Sequence, residues 1–526
     1  MINILTPTLL GITETIIIIS LLITIVYAYL TATFNFWKDL GVPHKKPTII
    51  VGNFADLLLF RKSQCEGMKE MYNWFKNERY FGVYRVRSPI FIIRDPNLVK
   101  NICVKDFNYF VNRGIPTNSQ EILTRHLFNL EGHKWKNLRS KLTPIFTSTK
   151  IKRMFHLLID CHKVFEELII NKALNNSTVE VRDLAGKFTI DIIGTCAFGI
   201  QINSLTHENS KFYKTIKKIS RPNYKTTLWR MLRTSLPKIY NLLGIQLFDS
   251  EVTDFFQDIV SQMVLQRECE QDNKRNDFMD LLIEIKNNEN NIDAKTHNDE
   301  YNNQDQSITS DIDFNENMIA AQAFAFFVAG FEPTSNTIAF CLYELSLNLD
   351  IQKKARQDIV NAINKNDGNL TYEALQEMTY LEAMVAETLR KYPPAPMTSR
   401  RCEYPYKIPG TNIVLPVGMR VVIPIYGIHH DSEYYPEPEK FNPDRFIDEN
   451  IKIRYPYTFL PFGEGPRNCI GIKFAILQIK LGIISFLKRH EILISDKTAV
   501  PIKFSRRSNV TSSENGFWLK IKSIDN

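Results

Sequence analysis

Closely spaced cysteines are absent from this sequence. Its 526 residues include eight cysteines, and no two of them form a CxxC or CxxxC pair. This spacing argues against a disulfide framework and against a structural zinc site, because both usually draw on cysteines that lie near each other in the chain. We therefore expect most of the cysteines to be small buried hydrophobic residues.

Long runs of one charge sign are also missing. The formal net charge is +8, and Lys and Arg occur only in short patches. Such a mild positive excess gives no indication of nucleic-acid binding, although it is compatible with a local basic face for an acidic partner. Hydrophobic residues make up 44% of the chain, the proportion of an ordinary globular protein, and a chain this long can enclose a cofactor.

The N-terminal segment contains no lysine or arginine before Lys38. The residues from Leu9 to Leu30 are mostly Ile, Leu, Val and Thr. As a helix they would span roughly 33 Å, close to the ~30 Å hydrocarbon core of a bilayer. Lysines follow this segment, and the positive-inside rule then places the N-terminus in the lumen and the body in the cytosol. A cleaved signal peptide is the alternative, but it needs a positively charged start. We predict a single-pass anchor over residues 1–37.

The patterns beyond the anchor predict a mainly α-helical fold with small peripheral β-sheets. Two prolines stiffen a linker over residues 38–50, and residues 51–526 form the body. Residues 286–313 are rich in Asn, Asp, Glu and Gln, which predicts a flexible surface loop, with a domain linker as the alternative. Apolar residues alternate over 413–424 around a Pro-Val-Gly turn, which predicts a β-hairpin. A long helix is predicted over 314–349.

The segment from Phe462 to Gly471, FGEGPRNCIG, carries the strongest chemical signal. Its first two glycines permit backbone angles that are closed to other residues, and they deliver Cys469 to the start of a helix. The N–H groups at a helix N-terminus stabilise a thiolate, which is the soft, electron-donating ligand that iron accepts. A buried cysteine after a loop is the simpler interpretation, but it does not explain the spacing of Phe, Gly and Arg.

This segment resembles the heme-binding signature of the cytochrome P-450 superfamily, FxxGxRxCxG, at every fixed position. The resemblance implies the cytochrome P-450 fold, with heme b (iron protoporphyrin IX) as cofactor and Cys469 as the axial ligand to its iron. It also implies that Phe462 contacts the heme and that Arg467 pairs with a heme propionate.

Two more segments resemble motifs of the same superfamily. The ETLR segment, Glu387 to Arg390, matches ExxR, and Arg445 stands in the later FNPDRF segment. A Glu and an Arg three residues apart on a helix are usually a surface pair. The resemblance implies instead that Glu387, Arg390 and Arg445 form a buried triad that locks the cysteine loop.

Trp135 and Arg139 lie four residues apart, on one helix face. An amphipathic surface helix would explain them, whereas the superfamily's WxxxR motif implies that both side chains donate to heme propionates. Arg400 aligns with another propionate-binding arginine of the superfamily.

The segment AGFEPTS, from Ala329 to Ser335, resembles the oxygen-binding motif A-G-x-[DE]-T-[TS]. The resemblance implies room for dioxygen above the iron and proton delivery by Glu332 and a hydroxyl group. Pro333 stands where the motif has threonine, so we expect Thr334, or else Ser335, to supply the hydroxyl. A proline inside a helix costs about 3 kcal/mol, and a simply kinked core helix is the alternative.

The segment that begins at Trp135, WKNLRSKLTPIFTS, is similar to insect microsomal enzymes of family six, which mostly oxidise plant toxins, insecticides and other apolar compounds. The resemblance implies a monooxygenase of the endoplasmic reticulum membrane, with its catalytic domain in the cytosol. It would insert one atom of dioxygen into a small apolar substrate, xenobiotic or endogenous, while the other atom leaves as water.

The chain has no GxGxxG motif with an acidic residue at the expected spacing, so electrons must come from another protein. The resemblance implies an NADPH-dependent flavoprotein reductase, with cytochrome b5 as a second partner. Four lysines near the predicted heme side could form a basic docking face, although ordinary solvated lysines would look the same. They are Lys134, Lys136, Lys141 and Lys473.

Two other functions are compatible with parts of this pattern. A heme-thiolate isomerase or dehydratase does not activate dioxygen, and the proline at 333 motivates that alternative. Glu332, Thr334 and the anchor argue against it. A non-catalytic heme-binding protein is the third alternative, and the complete set of heme-site motifs argues against it.

Overall fold

The computed structural model describes residues 5–116, 121–175, 177–207, 210–220, 224–269, 275, 277–296 and 314–524. Within these ranges the protein is mainly helical with small sheets, as predicted. The helices are α1 (Leu5–Thr31), α2 (Phe36–Asp39), α3 (Ala55–Leu58), α4 (Gln64–Asn73), α5 (Pro96–Lys100), α6 (Gly132–Leu142), α7 (Ser148–Leu174), α8 (Val181–Ile193), α9 (Lys211–Ser220), α10 (Tyr224–Ser235), α11 (Pro237–Leu242), α12 (Ser250–Cys269), α13 (Phe278–Thr296), α14 (Glu316–Leu347), α15 (Leu349–Lys365), α16 (Tyr372–Glu377), α17 (Thr379–Lys391), α18 (Ile425–His429), α19 (Asp448–Ile453) and α20 (Ile472–Leu487).

Nine strands form three sheets within the described residues. They are β1 (Tyr80–Arg85), β2 (Ser88–Ile93), β3 (Thr178–Glu180), β4 (Thr398–Arg401), β5 (Tyr406–Lys407), β6 (Val414–Leu415), β7 (Arg420–Ile423), β8 (His490–Ile494) and β9 (Trp518–Ser523). The largest sheet has the order β1-β2-β7-β4, the second has the order β3-β9-β8, and β5 pairs with β6.

The predicted hairpin over residues 413–424 is wrong. β6 pairs with β5, whereas β7 lies between β2, in parallel, and β4, in antiparallel orientation. The turn between the two strands ends at Gly418, whose φ of 84° is in the left-handed region, and it directs them into different sheets. Alternating apolar residues indicate that one face of a strand is buried, but they do not specify which strand pairs with it.

Helix α14 runs through the centre of the protein. Its N-terminus is capped by Asn315, whose side chain accepts a hydrogen bond from the N–H of Met318. The helix is apolar on all sides, which is typical of a buried helix, and it packs against α8, α12, α17 and α20. The sequence predicted this helix over nearly the same residues, and the proline at 333 lies inside it.

The predicted surface loop over residues 286–313 is wrong in its first part. Helix α13 continues to Thr296, because its first turns are fixed by the buried side chains of Phe278, Met279 and Leu282. The N–H of Asp280 also donates to the carboxylate of Asp277 at 3.0 Å. Residues 297–313 lie outside the described residues.

The N-terminal helix fits a membrane anchor. The segment Thr13–Asp39 contains an apolar stretch that is long enough to cross a bilayer and is not buried inside the protein. Just beyond α1, Trp37 is fully buried and its Nε1–H donates to the carbonyl of Val83 at 3.1 Å. The hydroxyl of Tyr84 donates to the carbonyl of Phe34 at 2.9 Å. The base of α1 is therefore fixed to strand β1.

Candidate active site

The loop before Cys469 is shaped by two glycines in the left-handed region. Gly463 and Gly465 have φ values of 71° and 72°. A Cβ atom at Gly465 would lie 1.8 Å from the carbonyl oxygen of Cys103, so no other residue fits there without a backbone shift. The N–H of Cys469 donates to the carbonyl of Phe462 at 2.9 Å and closes the loop.

The cysteine side chain lies just before the N-terminus of α20, as the motif predicted. Burial raises the pKa of the Cys469 thiol, while a backbone hydrogen bond from Gly471 and the nearby Arg139 and Arg113 oppose that rise. All eight cysteines are free, which agrees with the absence of closely spaced pairs. Cys196 and Cys469 both line a cavity together with α14, and Cys469 differs from Cys196 because it is exposed and follows the glycine-containing loop.

This cavity is mostly apolar and lies where α14 meets the start of α20. Ala329, Gly330 and Thr334 of α14 line it together with Cys469 and Gly471. Aromatic and aliphatic side chains complete the lining, among them Ile145, Phe146, Ile193, Phe278 and Phe474. A thiol and several small residues in one apolar cavity are suited to a flat macrocycle.

Arg467 is buried between the cysteine loop and helix α6. Its Nε and Nη2 groups donate to the carbonyls of Val111 and Leu130 at 2.9 and 2.8 Å, while Nη1 has no hydrogen-bond partner among the described residues. The guanidinium lies over the ring of Trp135, 3.9 Å from its centroid. Burial, together with the nearby Arg400, lowers the pKa of Arg467 to about 9.

Two more buried arginines belong to the same cluster. Arg113 donates to the carbonyl of Arg467 at 2.8 Å and to the hydroxyl of Thr398 at 3.2 Å. Arg400, which is 1% exposed, also donates to the Thr398 hydroxyl, at 3.3 Å, and to the carbonyl of Ser399 at 2.9 Å. Burial and the neighbouring arginines hold the pKa of Arg113 far below its ordinary value.

No acidic side chain forms an ion pair with Arg113, Arg400 or Arg467 within the part of the chain that the structure describes. The Nε of Arg113, the Nε of Arg400 and the Nη1 of Arg467 are buried without a hydrogen-bond partner. Buried charges require counter-charges, so this cluster needs anions from outside the chain. The two propionates of iron protoporphyrin IX have the required charge, and the residues present therefore fit a heme group.

Arg113 was not predicted from the sequence. It stands alone in a short irregular segment, without a helical spacing to any other site residue, and only the folded chain brings it to Arg400 and Arg467. The unpaired charge of that cluster is the signal that identifies it.

Arg139 contacts the cysteine loop directly. Its two Nη groups donate to the carbonyl and to the side-chain oxygen of Asn468, each at 3.0 Å. Trp135, one helical turn earlier, lies under the Arg467 guanidinium. The structure thus places both residues of the WxxxR motif beside the loop, and in each case the observed partner is a loop residue.

The predicted triad lies in the interior. Arg390 donates to both carboxylate oxygens of Glu387, at 2.7 and 2.9 Å, and both side chains are fully buried. The Nε of Arg445 is 3.5 Å from Glu387 Oε1, and the N–H of Asn442 donates to the same oxygen at 2.9 Å. Arg390 also donates to the carbonyl of Pro438 at 2.8 Å.

His429 connects this triad to the cysteine loop, and sequence reasoning missed it. Its Nδ1 is 2.9 Å from the carbonyl of Arg390, and Nε2 accepts a hydrogen bond from the N–H of Leu460 at 2.8 Å. The carbonyl of Leu460 in turn accepts from the N–H of Gly463 at 3.0 Å. Burial, and the positive charge of Arg390, hold the pKa of His429 well below its ordinary value.

The oxygen-site residues point in different directions. Thr334 lines the cavity, whereas Ser335 is fully buried and donates to the carbonyl of Glu332 at 3.3 Å. The carboxylate of Glu332 faces Arg182, at 3.4 Å, and Ser508, at 3.5 Å. Burial raises the pKa of Glu332, although Arg182 opposes that rise.

The comparisons with known proteins agree with this geometry. The family model described as Cytochrome P450 matches residues 43–521. Probable cytochrome P450 6a14 of Drosophila melanogaster is 37% identical over 518 residues, which cover 97% of this chain and 99% of the relative. Cytochrome P450 6a2 of the same organism is 38% identical over 520 residues, 97% and 100% of the two chains.

Another insect relative, cytochrome P450 6k1 of Blattella germanica, is 35% identical over 517 residues, or 96% of each chain. The family-six designation of these relatives confirms the narrower resemblance found in the sequence. The chain belongs to the cytochrome P450 family of heme-binding monooxygenases.

Proposed function

We propose that this enzyme oxidises small apolar substrates, xenobiotic or endogenous, with electrons from NADPH that a separate flavoprotein reductase delivers. The observation that carries the proposal is the cavity that both Cys469 and Thr334 line. Its mostly apolar lining supports an apolar substrate, because ligand sites are lined predominantly by hydrophobic and aromatic side chains, with few polar groups to bind a polar ligand.

The heme would be held by residues that lie around this cavity. Cys469 would ligate the iron, and Arg113, Arg400 and Arg467 would neutralise the propionates. When bound, the heme supplies a thiolate-ligated iron that cleaves dioxygen. Trp135 and Arg139 would position the cysteine loop, since both contact it directly, and Phe462 would hold Cys469 through its backbone carbonyl.

Proton delivery is assigned to Thr334 and Glu332. Thr334 lines the cavity, and its hydroxyl would donate a proton there. Glu332 does not line the cavity, so its proton would travel from the carboxyl group through water. Burial raises the pKa of the Glu332 carboxyl and so favours its protonated form, which suits a group that passes on a proton. Ser335 is the weaker candidate, because its hydroxyl is bonded to a helix carbonyl.

The protein would be anchored in the endoplasmic reticulum membrane by α1, with its catalytic body in the cytosol. The apolar length of α1 and the lysines that follow it support this orientation. The domain boundaries at residues 37 and 50 remain predictions.

A basic face is proposed as the reductase-docking surface, which cytochrome b5 would share. Lys134, Lys136 and Lys473 are exposed, on α6 and α20, beside the cysteine loop, and Lys141 is half-buried. Charge reversal at Lys134 and Lys136 should lower reductase-driven turnover and leave peroxide-driven turnover unchanged. An equal fall in both would disprove docking at this face.

The central test uses the full-length holoenzyme with a reductase, NADPH and labelled dioxygen. We expect one labelled oxygen atom in the product, one NADPH consumed for each coupled turnover, and the red-shifted Soret band of thiolate ligation in the reduced carbon-monoxide complex. Product that forms without NADPH consumption and without labelled oxygen would favour the alternative that Pro333 motivates, a heme-thiolate isomerase or dehydratase.

A further inference from the structure

A second cavity lies beside the largest sheet and shares no lining residue with the cavity at Cys469. Its volume is about 420 Å³. The end of β1, the start of β2, the turn before β7 and the start of α2 contribute to its wall. Among its lining residues are three arginines, Arg85, Arg401 and Arg420.

One of these arginines is neutralised by the protein itself. Arg401 forms ion pairs with Glu131 at 2.8 Å and with Glu403 at 2.9 Å. Arg401 therefore needs no further anion, and it provides the comparison for the other two arginines of this cavity.

The other two arginines are not neutralised. The guanidinium of Arg85 forms no hydrogen bond or ion pair with any residue that the structure describes, and its Nε is buried without a partner. The guanidinium of Arg420 donates to the carbonyl of Gly114 and pairs with no acidic side chain among the described residues. Burial, and the proximity of Arg420, lower the pKa of Arg85 to about 10. Two half-buried positive charges in one cavity favour an anion that bridges them.

The position of the cavity indicates where such an anion would come from. Phe36, in its wall, follows the end of α1 by a few residues. Arg87, on the turn between β1 and β2, lies over the ring of Tyr29 in α1, 3.9 Å from its centroid. The cavity is therefore at the membrane end of the protein, at the level of lipid headgroups.

The remaining lining is suited to an amphiphile. Phe36, Ile90 and Met419 are apolar, and so is Val417, which is 61% exposed. An inorganic anion would leave this apolar surface unused, whereas a lipid would place its phosphate between the arginines and its glycerol and acyl groups against the apolar residues.

We propose that this cavity binds the headgroup of an anionic phospholipid from the surrounding membrane, with the phosphate between Arg85 and Arg420. The proposal rests on the membrane anchoring of α1 proposed above and is independent of the assigned catalytic residues. The bound lipid would fix the orientation of the body on the membrane surface.

The test measures binding to the full-length holoenzyme in neutral detergent. The probes are dihexanoylphosphatidylserine, dihexanoylphosphatidylcholine, inorganic phosphate and laurate. The variants are R85Q and R420Q, with R153Q as the matched control, because Arg153 is an exposed arginine on α7 that does not line this cavity. We expect phosphatidylserine to bind at least about tenfold more tightly than phosphatidylcholine, and R85Q and R420Q each to weaken it at least about tenfold. R153Q should bind like the original protein.

The melting temperature distinguishes the loss of a lipid contact from a general loss of stability if a variant binds lipid more weakly. Without lipid, R85Q should melt at the same or a higher temperature, because it removes an uncompensated, half-buried charge, and phosphatidylserine should stabilise it less than the original protein. A lower melting temperature without lipid would show that Arg85 is a structural residue and overturn the proposal.

Three other outcomes also overturn it. Equal binding of inorganic phosphate would make the cavity an anion site without lipid selectivity, and laurate binding with a change in the heme spin state would make it a substrate entrance. Phosphatidylserine binding that is unchanged in both variants would show that the two arginines are not part of the lipid site. Association of the full-length protein with lipid vesicles tests the membrane anchoring separately. If the protein does not associate with vesicles but still binds the short-chain lipid, the anchoring alone is refuted.

Discussion

Two groups of buried charges near the cysteine loop differ in how they are compensated. In the triad, the carboxylate of Glu387 faces Arg390 and Arg445, and backbone carbonyls accept from the arginines. In the second group, Arg113, Arg400 and Arg467 lie together beside the loop with no acidic partner among the described residues. A satisfied network holds the fold together, whereas an unsatisfied one awaits a ligand. Removing one charged group should therefore destabilise the apoprotein at the triad and stabilise it at the arginine cluster.

The largest effect is expected for Glu387→Gln. The change leaves the guanidinium of Arg390 buried without its counter-charge, and breaking a buried pair on one side costs about 3–5 kcal/mol. Chemical unfolding of the apoprotein and the yield of the reduced carbon-monoxide Soret band measure it.

Glu373→Gln provides the control for that experiment. Glu373 is paired with Lys152 on the surface, where both side chains are more than half exposed, so stability should not change measurably. Equal destabilisation by the two substitutions would contradict the structural role of the triad.

Arg467→Met should have the opposite effect on the apoprotein. It removes one charge from the uncompensated cluster and keeps an apolar contact with Trp135, so the apoprotein should become more stable. Heme should dissociate about 10- to 100-fold faster, since a charged hydrogen bond is worth about 1.5–3 kcal/mol. Transfer of heme to excess apomyoglobin measures this rate. Unchanged heme transfer would remove Arg467 from the propionate site.

Thr334→Ala tests the next smaller effect, in the cavity that Thr334 and Cys469 both line. Loss of the hydroxyl should lower product formation per NADPH by about tenfold and divert electrons to hydrogen peroxide, because a positioned proton donor contributes at least that much. Ser335→Ala, its matched control, should stay within about twofold. If Ser335→Ala has the larger effect, the proton-donor assignment moves to Ser335.

The smallest effect is the pH dependence that His429 contributes. Its pKa in the folded protein is held well below the ordinary value of 6.5, so the unfolded chain binds a proton that the folded protein does not. Stability should therefore be full above about pH 6.5 and fall as the pH drops below it, by at most about 1.4 kcal/mol per pH unit.

Unfolding of the apoprotein by urea between pH 7 and pH 5 measures this slope, and His429→Gln should reduce it. His133, which is exposed on α6, provides the control, because its replacement should leave the slope unchanged. A slope that is the same in both variants would show that His429 is accessible to protons in the folded state.

Local spacing determined which features could be predicted from the sequence. The cysteine loop, the Glu387–Arg390 pair and the central helix each depend on residues a few positions apart, and the structure has all three where expected. Arg113 and His429 reach the site through contacts with residues far away in the chain, which no spacing reveals. The pairing of β7 with β2 and β4 is likewise a long-range choice.

The close approach of Gly465 to the carbonyl of Cys103 has a consequence for insertions and deletions in the segment that contains Cys103. The segment Asn101–Lys105 is a π-helical turn, which contains one more residue per turn than an α-helix and so bulges outward. A side chain could rotate away from the loop, but a backbone carbonyl cannot. Deleting one residue from this turn would draw the carbonyl back and release the loop that carries Cys469. The length of the segment Asn101–Lys105, which lies more than three hundred residues upstream, thus determines the position of the loop that carries Cys469.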